Sequence, residues 1–112
     1  MKGDCYKISF EILQELKELQ ELGINTLMGV GVESLYLVHG TIVPITGSCA
    51  GKEIKHAWVE VNDVVVEMSN GNNKYCNKEK WIGDLKAYEI CRYNPEEAII
   101  KSKEFNHYGP WI

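Results

Sequence analysis

The sequence predicts an α+β fold in which an N-terminal helix carrying a cysteine packs on a small antiparallel β-sheet, with a short helix near the C-terminus. Apolar residues near the N-terminus recur at spacings of three and four, which predicts an amphipathic helix. The middle of the chain alternates apolar and polar residues between turn signals, which predicts antiparallel strands. Near the end, Asn94-Pro95-Glu96-Glu97 has the order of an N-cap, a first-turn proline and first-turn acids, which predicts the last helix.

Length and charge narrow the class of protein. A chain of 112 residues is expected to form one domain over residues 1–112. Its 12 basic and 16 acidic residues give a net charge of -4, which argues against a broad basic surface for nucleic acid. No apolar run has the length of a membrane span or the character of a signal peptide, so we expect a cytoplasmic protein without a membrane partner. The sequence leaves the oligomeric state open.

The first helix places a cysteine at its beginning. Asp4 is a suitable N-cap and Cys5 occupies the first helical position and the apolar stripe, and the helix is expected to run to Leu22 and end at Gly23. The unpaired N–H groups and positive dipole end of a helix favour an anion, so they would stabilise a thiolate at Cys5. The alternative is that this thiol only packs in the core, because free cysteine is often buried.

The other three cysteines give no sign of a metal site. Cys49, Cys76 and Cys91 are dispersed, with no Cys-x-x-Cys pair and no histidine at a zinc-binding spacing. We therefore expect no structural metal site, and free thiols rather than disulfides, with at most one of the four reactive.

The strand pattern begins after a segment without clear period. Residues 34–39 and 41–46 read as strands with Gly40 between them, forming either a tight hairpin or one bent strand. Residues 47–53 are expected to form a mobile loop bordering a site.

The next hairpin brings chemically useful side chains together. Residues 55–61 and 64–69 alternate as strands around Asn62-Asp63, a plausible two-residue turn. With that turn, Trp58 is expected to lie opposite Glu67 and His56 opposite Ser69, so these four side chains share one face. Glu67 is then close enough to orient His56, while Asn70, the other candidate for that role, falls on the opposite face.

The opposite face of this hairpin carries mainly valines and is apolar throughout. Another element must therefore shield it from water. If the first helix covers it, Cys5 is expected on the wrong side of the sheet from His56. A site that joins Cys5 and His56 then requires the helix to lie on the His56 face, with the second helix or sheet curvature covering the valines.

The rest of the chain is expected to be simpler. Residues 70–73 predict a turn, residues 74–84 a polar connector anchored by Tyr75 and Trp81, and residues 85–93 a final strand. The aromatic tail at 107–111 is expected to dock on the core, with a role in lining the site as the alternative.

The chain also resembles a known family. Gly3-Asp4-Cys5-Tyr6 before a helix, His56-Ala57-Trp58-Val59-Glu60 on a strand and an acid on the following strand resemble the small transglutaminase-like members of the papain-like cysteine-protease superfamily. Further segments resemble small bacterial and phage proteins of that kind: Leu37-Val38-His39-Gly40, Ser69-Asn70-Gly71, Arg92-Tyr93-Asn94-Pro95-Glu96-Glu97-Ala98 and His107-Tyr108-Gly109-Pro110-Trp111.

The resemblance implies a catalytic triad of Cys5 as nucleophile, His56 as base and Glu67 as third member. The family usually has Asp at the third position, and Glu is one methylene longer, so Asn70 stays an alternative. Trp58 and Ser69 would line the site. The Cys5 backbone N–H would stabilise an oxyanion, and further oxyanion or substrate contacts are expected from Tyr6, Tyr36, His39 and His107.

The implied activity is that of a cysteine-dependent hydrolase or acyltransferase. It would act through a thioester on a peptide, protein or small amide substrate, at a peptide, isopeptide or glutamine side-chain amide. Such a catalyst would need no metal or organic cofactor. The alternative function, from a different class, is a non-catalytic binding or inhibitor protein on the same scaffold, of the kind a phage encodes.

Overall fold

The computed structural model describes residues 5–21, 26–27, 30–31, 34–69 and 72–111. Within them the fold is α+β, with three helices, a two-stranded β-ribbon and a five-stranded antiparallel sheet in the order β6-β5-β4-β3-β7. The helices are α1 (Cys5–Glu21), α2 (Lys78–Leu85) and α3 (Pro95–Phe105). The strands are β1 (Thr26–Leu27), β2 (Val30–Gly31), β3 (Leu35–Ile42), β4 (Ile54–Val61), β5 (Val64–Ser69), β6 (Asn72–Asn77) and β7 (Tyr88–Tyr93).

The described part of helix α1 begins at Cys5, the first helical position of the sequence prediction, and the helix buries Ile12 and Leu13. The predicted N-cap Asp4 and the predicted end at Leu22 and Gly23 lie outside the described residues.

Strand β3 is one continuous strand, so the bent-strand alternative is correct and the tight hairpin at Gly40 is wrong. It pairs with β4 along its whole length, from Leu35 opposite Val61 to Ile42 opposite Ile54. The bend is a register shift against β7 between His39 and Gly40. Pairing on both sides leaves no room for a reversal of the chain at Gly40.

The hairpin of β4 and β5 turns at Asn62 and Asp63, as predicted. Its ladder consists of Val61↔Val64, Glu60↔Val65 and Val59↔Val66, and it ends there. The predicted pairs of Trp58 with Glu67 and of His56 with Ser69 are therefore not formed. Beyond Val59 and Val66 the two strands are no longer held together by main-chain hydrogen bonds.

The predicted polar connector at 74–84 is wrong. Residues 72–77 form β6, which pairs with all of β5 and is the edge strand of the sheet. The side chain of Asn77 then caps α2 by accepting a hydrogen bond from the Lys80 N–H at 3.1 Å. Because Leu85 belongs to α2, the last strand begins at Tyr88 and not at 85. An edge strand needs no apolar alternation on its exposed side, which is why the pattern did not reveal it.

Two cores lie on the two faces of the sheet. The valine face is covered by α1, α3 and the tail, in a cluster formed by Ile12, Leu13, Leu35, Leu37, Val59, Val61, Val66, Tyr93, Ala98 and Trp111. Helix α2 covers the other face, where the cluster consists of Val38, Ile42, Trp58, Val65 and Trp81. The expectation that a Cys5–His56 site requires α1 on the His56 face is wrong.

The C-terminal helix begins as the sequence predicts. Asn94 and Glu97 form a reciprocal capping box, in which Asn94 Oδ1 accepts from the Glu97 N–H at 2.8 Å and Glu97 Oε1 accepts from the Asn94 N–H at 2.9 Å. The tail docks on the core through buried Trp111, whose indole N–H donates to the His107 carbonyl at 2.7 Å. None of the helices in the described segments has the length and apolar character required to cross a membrane.

Candidate active site

A cysteine, a histidine and a glutamate form one hydrogen-bonded chain at the N-terminus of α1. His56 Nε2 lies 2.9 Å from Glu67 Oε1, and the Cys5 side chain is hydrogen-bonded to the same imidazole. Because Nε2 is taken by Glu67, Nδ1 is the ring nitrogen left for the thiol. The His56 and Glu67 side chains are only 16% and 17% exposed, so the group is largely shielded from water.

Cys5 reaches His56 although α1 lies on the opposite face of the sheet. His56 and Glu67 both lie beyond the last β4–β5 pair, where the strands are not joined by a ladder. One helical turn after Cys5, the Ser9 hydroxyl donates to the Ala57 carbonyl at 3.1 Å and fixes the helix against β4. The start of α1 is therefore held beside the open end of the hairpin, where the imidazole is accessible to it.

The environment of His56 favours the imidazolium form. Burial is the largest influence and disfavours the charged ring, but the hydrogen bonds to Cys5 and Glu67 and the charges of both groups outweigh it and raise the pKa of His56 to about 9. At neutral pH the site therefore holds a protonated ring between two groups that can carry negative charge.

Glu67 is held from its other side by a tryptophan. The Trp81 indole N–H donates to Glu67 Oε2 at 2.8 Å, while Oε1 faces His56. Both carboxylate oxygens are thus engaged, which fixes the plane of the group that orients the imidazole. Trp81 was expected only to anchor a connector. The sequence feature that could have indicated this role is a tryptophan within a polar segment. A buried indole N–H requires a hydrogen-bond acceptor, and Glu67 is that acceptor.

Trp58 forms the floor of the site. It is 1% exposed, and its ring stacks against His56 with centroids 6.4 Å apart and planes 25° apart. Its indole N–H donates to Glu60 Oε2 at 3.0 Å. The predicted wall residue therefore lies directly against the imidazole, with its orientation set by a second carboxylate.

Glu60 is a buried carboxylate that the site prediction did not include. Its Oε1 accepts from Lys78 at 3.0 Å and from Arg92 at 3.1 Å, and Arg92 also pairs with Glu89.

The Arg92 guanidinium lies 4.9 Å from the ring centre of Tyr36. Tyr36, predicted as an oxyanion or substrate contact, thus packs beneath this charge network. The position of Glu60 could have been predicted from the sequence. Alternate residues of a strand share a face, so His56, Trp58 and Glu60 lie on the same face of β4.

Tyr6 and His39 lie together on the α1 side of the sheet. Their rings meet edge to face with centroids 4.9 Å apart, and the pKa of Tyr6 is raised by its burial and by nearby Cys5. His39 is 1% exposed, and neither ring nitrogen has a hydrogen-bond partner in the described part of the chain. Burial lowers the pKa of His39 to about 4, so this ring is neutral at physiological pH.

Of the remaining predicted residues, only His107 has a side chain in the described part of the chain. His107 is exposed, and its Nδ1 accepts from the Gly109 N–H at 3.1 Å. Asn70 and the side chain of Ser69 lie outside the described residues, so the choice of Asn70 as an alternative third member stays a prediction.

All four cysteines are free and half-buried. Among the described residues, only Cys5 is a cysteine hydrogen-bonded to an imidazole. Cys91 is hydrogen-bonded to the Tyr93 side chain instead. Over the same residues, no group of three or more His, Cys, Asp or Glu side chains is arranged to hold a metal ion.

The arrangement supplies a thiol, a proton carrier and an orienting carboxylate in series, the parts of a nucleophilic site. Comparisons with protein-family models, with curated proteins and with solved structures found no match to this chain. A functional assignment therefore depends on the geometry and chemistry of the chain's own residues.

Proposed function

We propose that the protein is a cysteine-dependent hydrolase or acyltransferase that acts on an amide, on a scaffold of the small transglutaminase-like, papain-like kind. The observation that carries the proposal is the hydrogen-bonded series Cys5–His56–Glu67. A packing cysteine needs no imidazole, and an imidazole held by a carboxylate on one side and a thiol on the other has the geometry of an activated nucleophile.

In the first step the Cys5 thiolate attacks the carbonyl carbon of the amide and forms a C–S bond. As the tetrahedral intermediate collapses, the C–N bond breaks and the His56 imidazolium gives its proton to the leaving amine. The products of this step are the free amine, a thioester on Cys5 and a neutral imidazole.

In the second step water or another amine resolves the thioester. Neutral His56 takes a proton from the attacking group, a new C–O or C–N bond forms, and the C–S bond breaks to release the thiolate. The imidazolium and thiolate are then restored, so no outside oxidant or reductant is needed.

The start of α1 supports both steps. Cys5 is the first residue of α1, so its N–H is among the helix-end groups that have no partner within the helix. Such a group can donate to the oxyanion that develops on the carbonyl oxygen. The positive end of the helix dipole favours the thiolate before attack and the oxyanion after it.

The proposed partners are a peptide, protein or small amide substrate. We also propose that the protein works in the reducing cytoplasm, since four free thiols persist there without forming disulfides.

Alkylation by iodoacetamide at pH 7 tests the proposal without knowledge of the substrate. An ordinary thiol is only a few per cent thiolate at this pH, so an activated Cys5 should react at least about tenfold faster than an unactivated cysteine. Peptide mass spectrometry gives the four rates in one sample, with half-buried Cys91 as the matched internal control. His56→Ala should bring the Cys5 rate down to that of Cys91.

Slow and equal labelling of all four thiols would contradict the proposal and favour the alternative of a binding or inhibitor protein on this scaffold. Fast labelling of Cys5 that is unchanged in His56→Ala would also contradict it, because the imidazole would then have no part in activation.

A further inference from the structure

A cavity on the α1 side of the sheet is lined in part by Tyr6, the residue that follows the proposed nucleophile in the sequence. It measures about 230 Å³ and is lined by Tyr6, His39, Gly40, Lys55, Ile90 and Pro110. Tyr6 follows Cys5 in α1, Lys55 precedes His56 in β4, and Gly40 is the residue that pairs with His56 across the sheet. Neither reactive side chain lines the cavity, but its wall contains a sequence neighbour of each of them.

The charge of this cavity is positive. Among the described residues that line it, Lys55 is the only charged one and none is a carboxylate. Within the described residues Lys55 takes part in no ion pair, so its charge is not neutralised there. A larger cavity of about 420 Å³ borders Glu67, but its lysine, Lys80, is paired with Asp84 at 3.2 Å. An anionic group is therefore better matched by the cavity at Lys55.

The inner wall contains the buried side chain of His39. Neither of its ring nitrogens has a hydrogen-bond partner among the described residues, which is unfavourable for groups that can donate or accept. The His39 side chain nevertheless contributes to the wall of the cavity, beside Pro110. A neutral imidazole can donate one hydrogen bond to a carboxylate oxygen.

The size suits one amino-acid side chain. At roughly 30 Å³ for each water-sized group, the cavity has space for about seven or eight non-hydrogen atoms. A propionate side chain fits within that volume, and its methylenes would contact the apolar residues Ile90 and Pro110.

We propose that this cavity, the Lys55 pocket, binds an acidic side chain of the substrate next to the amide that Cys5 attacks. Lys55 supplies the charge at the rim, and His39 supplies a hydrogen bond at the inner wall. The inference depends on the proposed function and gives that function a substrate preference. A substrate with glutamate beside the reacting amide is favoured over the same substrate with glutamine.

Two electrophiles that differ only in side-chain charge test the proposal. They are chloroacetyl-glutamate and chloroacetyl-glutamine, each blocked as its α-amide. In both, the Cys5 thiolate displaces chloride and forms a C–S bond. Intact-protein and peptide mass spectrometry give the second-order rate constants at pH 7 and low ionic strength.

We expect Cys5 to react about fivefold faster with the glutamate probe than with the glutamine probe, as for one partly exposed charge pair. Lys55→Gln should bring the ratio close to one, and added salt should lower it in the native protein. Lys80→Gln is the matched control, because it removes a lysine from the other cavity, and it should leave the ratio unchanged.

The outcomes separate the two proposals. Fast alkylation of Cys5 by both probes at equal rates, or a preference that survives Lys55→Gln or disappears in Lys80→Gln, overturns the Lys55 pocket and leaves the nucleophile intact. Alkylation of Cys5 by both probes no faster than that of Cys91 overturns the proposed function and the pocket with it.

Discussion

His56 and His39 are both largely buried, yet their pKa values move in opposite directions. Burial alone lowers the pKa of His39 to about 4, because no described group compensates a charge on that ring. His56 experiences the same penalty, but its bonds to Cys5 and Glu67 reverse the result and raise its pKa to about 9. The hydrogen-bonding and charged neighbours of each ring, and not its extent of burial, therefore decide which imidazole is charged.

A proton NMR titration of the imidazole Cε1–H signals measures this difference directly. We expect the His56 signal to shift with a midpoint near pH 9 and the His39 signal with a midpoint near pH 4. Because the pKa of His56 is raised, its imidazolium is present below pH 9 and lost as the pH rises through that value. Amide cleavage that needs this proton should decline over the same range.

Glu67→Gln is the informative variant in this titration. It keeps the shape of the side chain but removes the negative charge, so the His56 midpoint should fall by about one unit or more. Cys5→Ala should lower it as well, while the His39 midpoint stays where it is in both variants. A His56 midpoint that stays near 9 in Glu67→Gln would show that the carboxylate does not stabilise the imidazolium.

At this scale the sequence was informative where residue chemistry and spacing agreed. Cys5, His56 and Glu67 were selected by a helix start and by strand alternation, and the structure brings them into contact. Trp81 and Lys55 were not selected, because their roles depend on cavities and acceptors formed by distant segments. Local pattern does not contain that information.

At the scale of elements, the prediction failed where pairing ends. Strict alternation implied that β4 and β5 stay paired to the end, whereas the ladder ends at Val59 and Val66. That early end allows α1 to cover the valines and still present Cys5 to His56. Alternation shows which face a side chain occupies, but the length of a ladder depends on contacts between strands and helices.

Gly40 provides a test at this level, because it marks the closest approach of β3 to its neighbours. A Cβ at this position would lie 2.1 Å from the Tyr88 carbonyl oxygen and 2.9 Å from the Trp58 ring. The backbone of β7 would have to move, so Gly40→Ala should lower the free energy of unfolding by about 2 kcal/mol. Urea denaturation monitored by tryptophan fluorescence gives this value.

Gly83→Ala is the matched control in α2. Apart from its chain neighbours and the backbone of its own helix, no described atom lies within 4 Å of a Cβ built there. Alanine is also the better helix former, so this variant should gain up to about 1 kcal/mol. Equal stability of the two variants would contradict the close packing of β3, Trp58 and β7. Because Trp58 supports His56, Gly40→Ala should also slow the alkylation of Cys5, which Gly83→Ala should not affect.

At the scale of the whole molecule, the sheet separates two cores, and the proposed site lies where they meet. The α1 and α3 side supplies Cys5, and the α2 side supplies Trp81 and Trp58, while the end of the β4–β5 ladder connects the two. His39 lies in the first core among the rings of Tyr6, Tyr93 and Trp111. The packing of the tail and α1 is therefore coupled to the protonation of one buried imidazole.

That coupling makes global stability sensitive to acid. The pKa of His39 is about 4 in the folded chain and about 6.5 when the chain is unfolded, so between these values the unfolded state binds more protons. The contribution of His39 is complete above pH 6.5 and is lost as the pH falls toward 4, by up to about 3 kcal/mol. Urea denaturation at intervals from pH 7 to pH 4 should show this decline.

The variant His39→Met is the control for this prediction. Methionine has a similar volume and no titrating group, so stability at pH 7 should change little because no hydrogen bond is removed. Its acid decline should be smaller than that of the native chain by about the same 3 kcal/mol. Parallel declines in the two proteins would mean that His39 is protonated without unfolding the core around it.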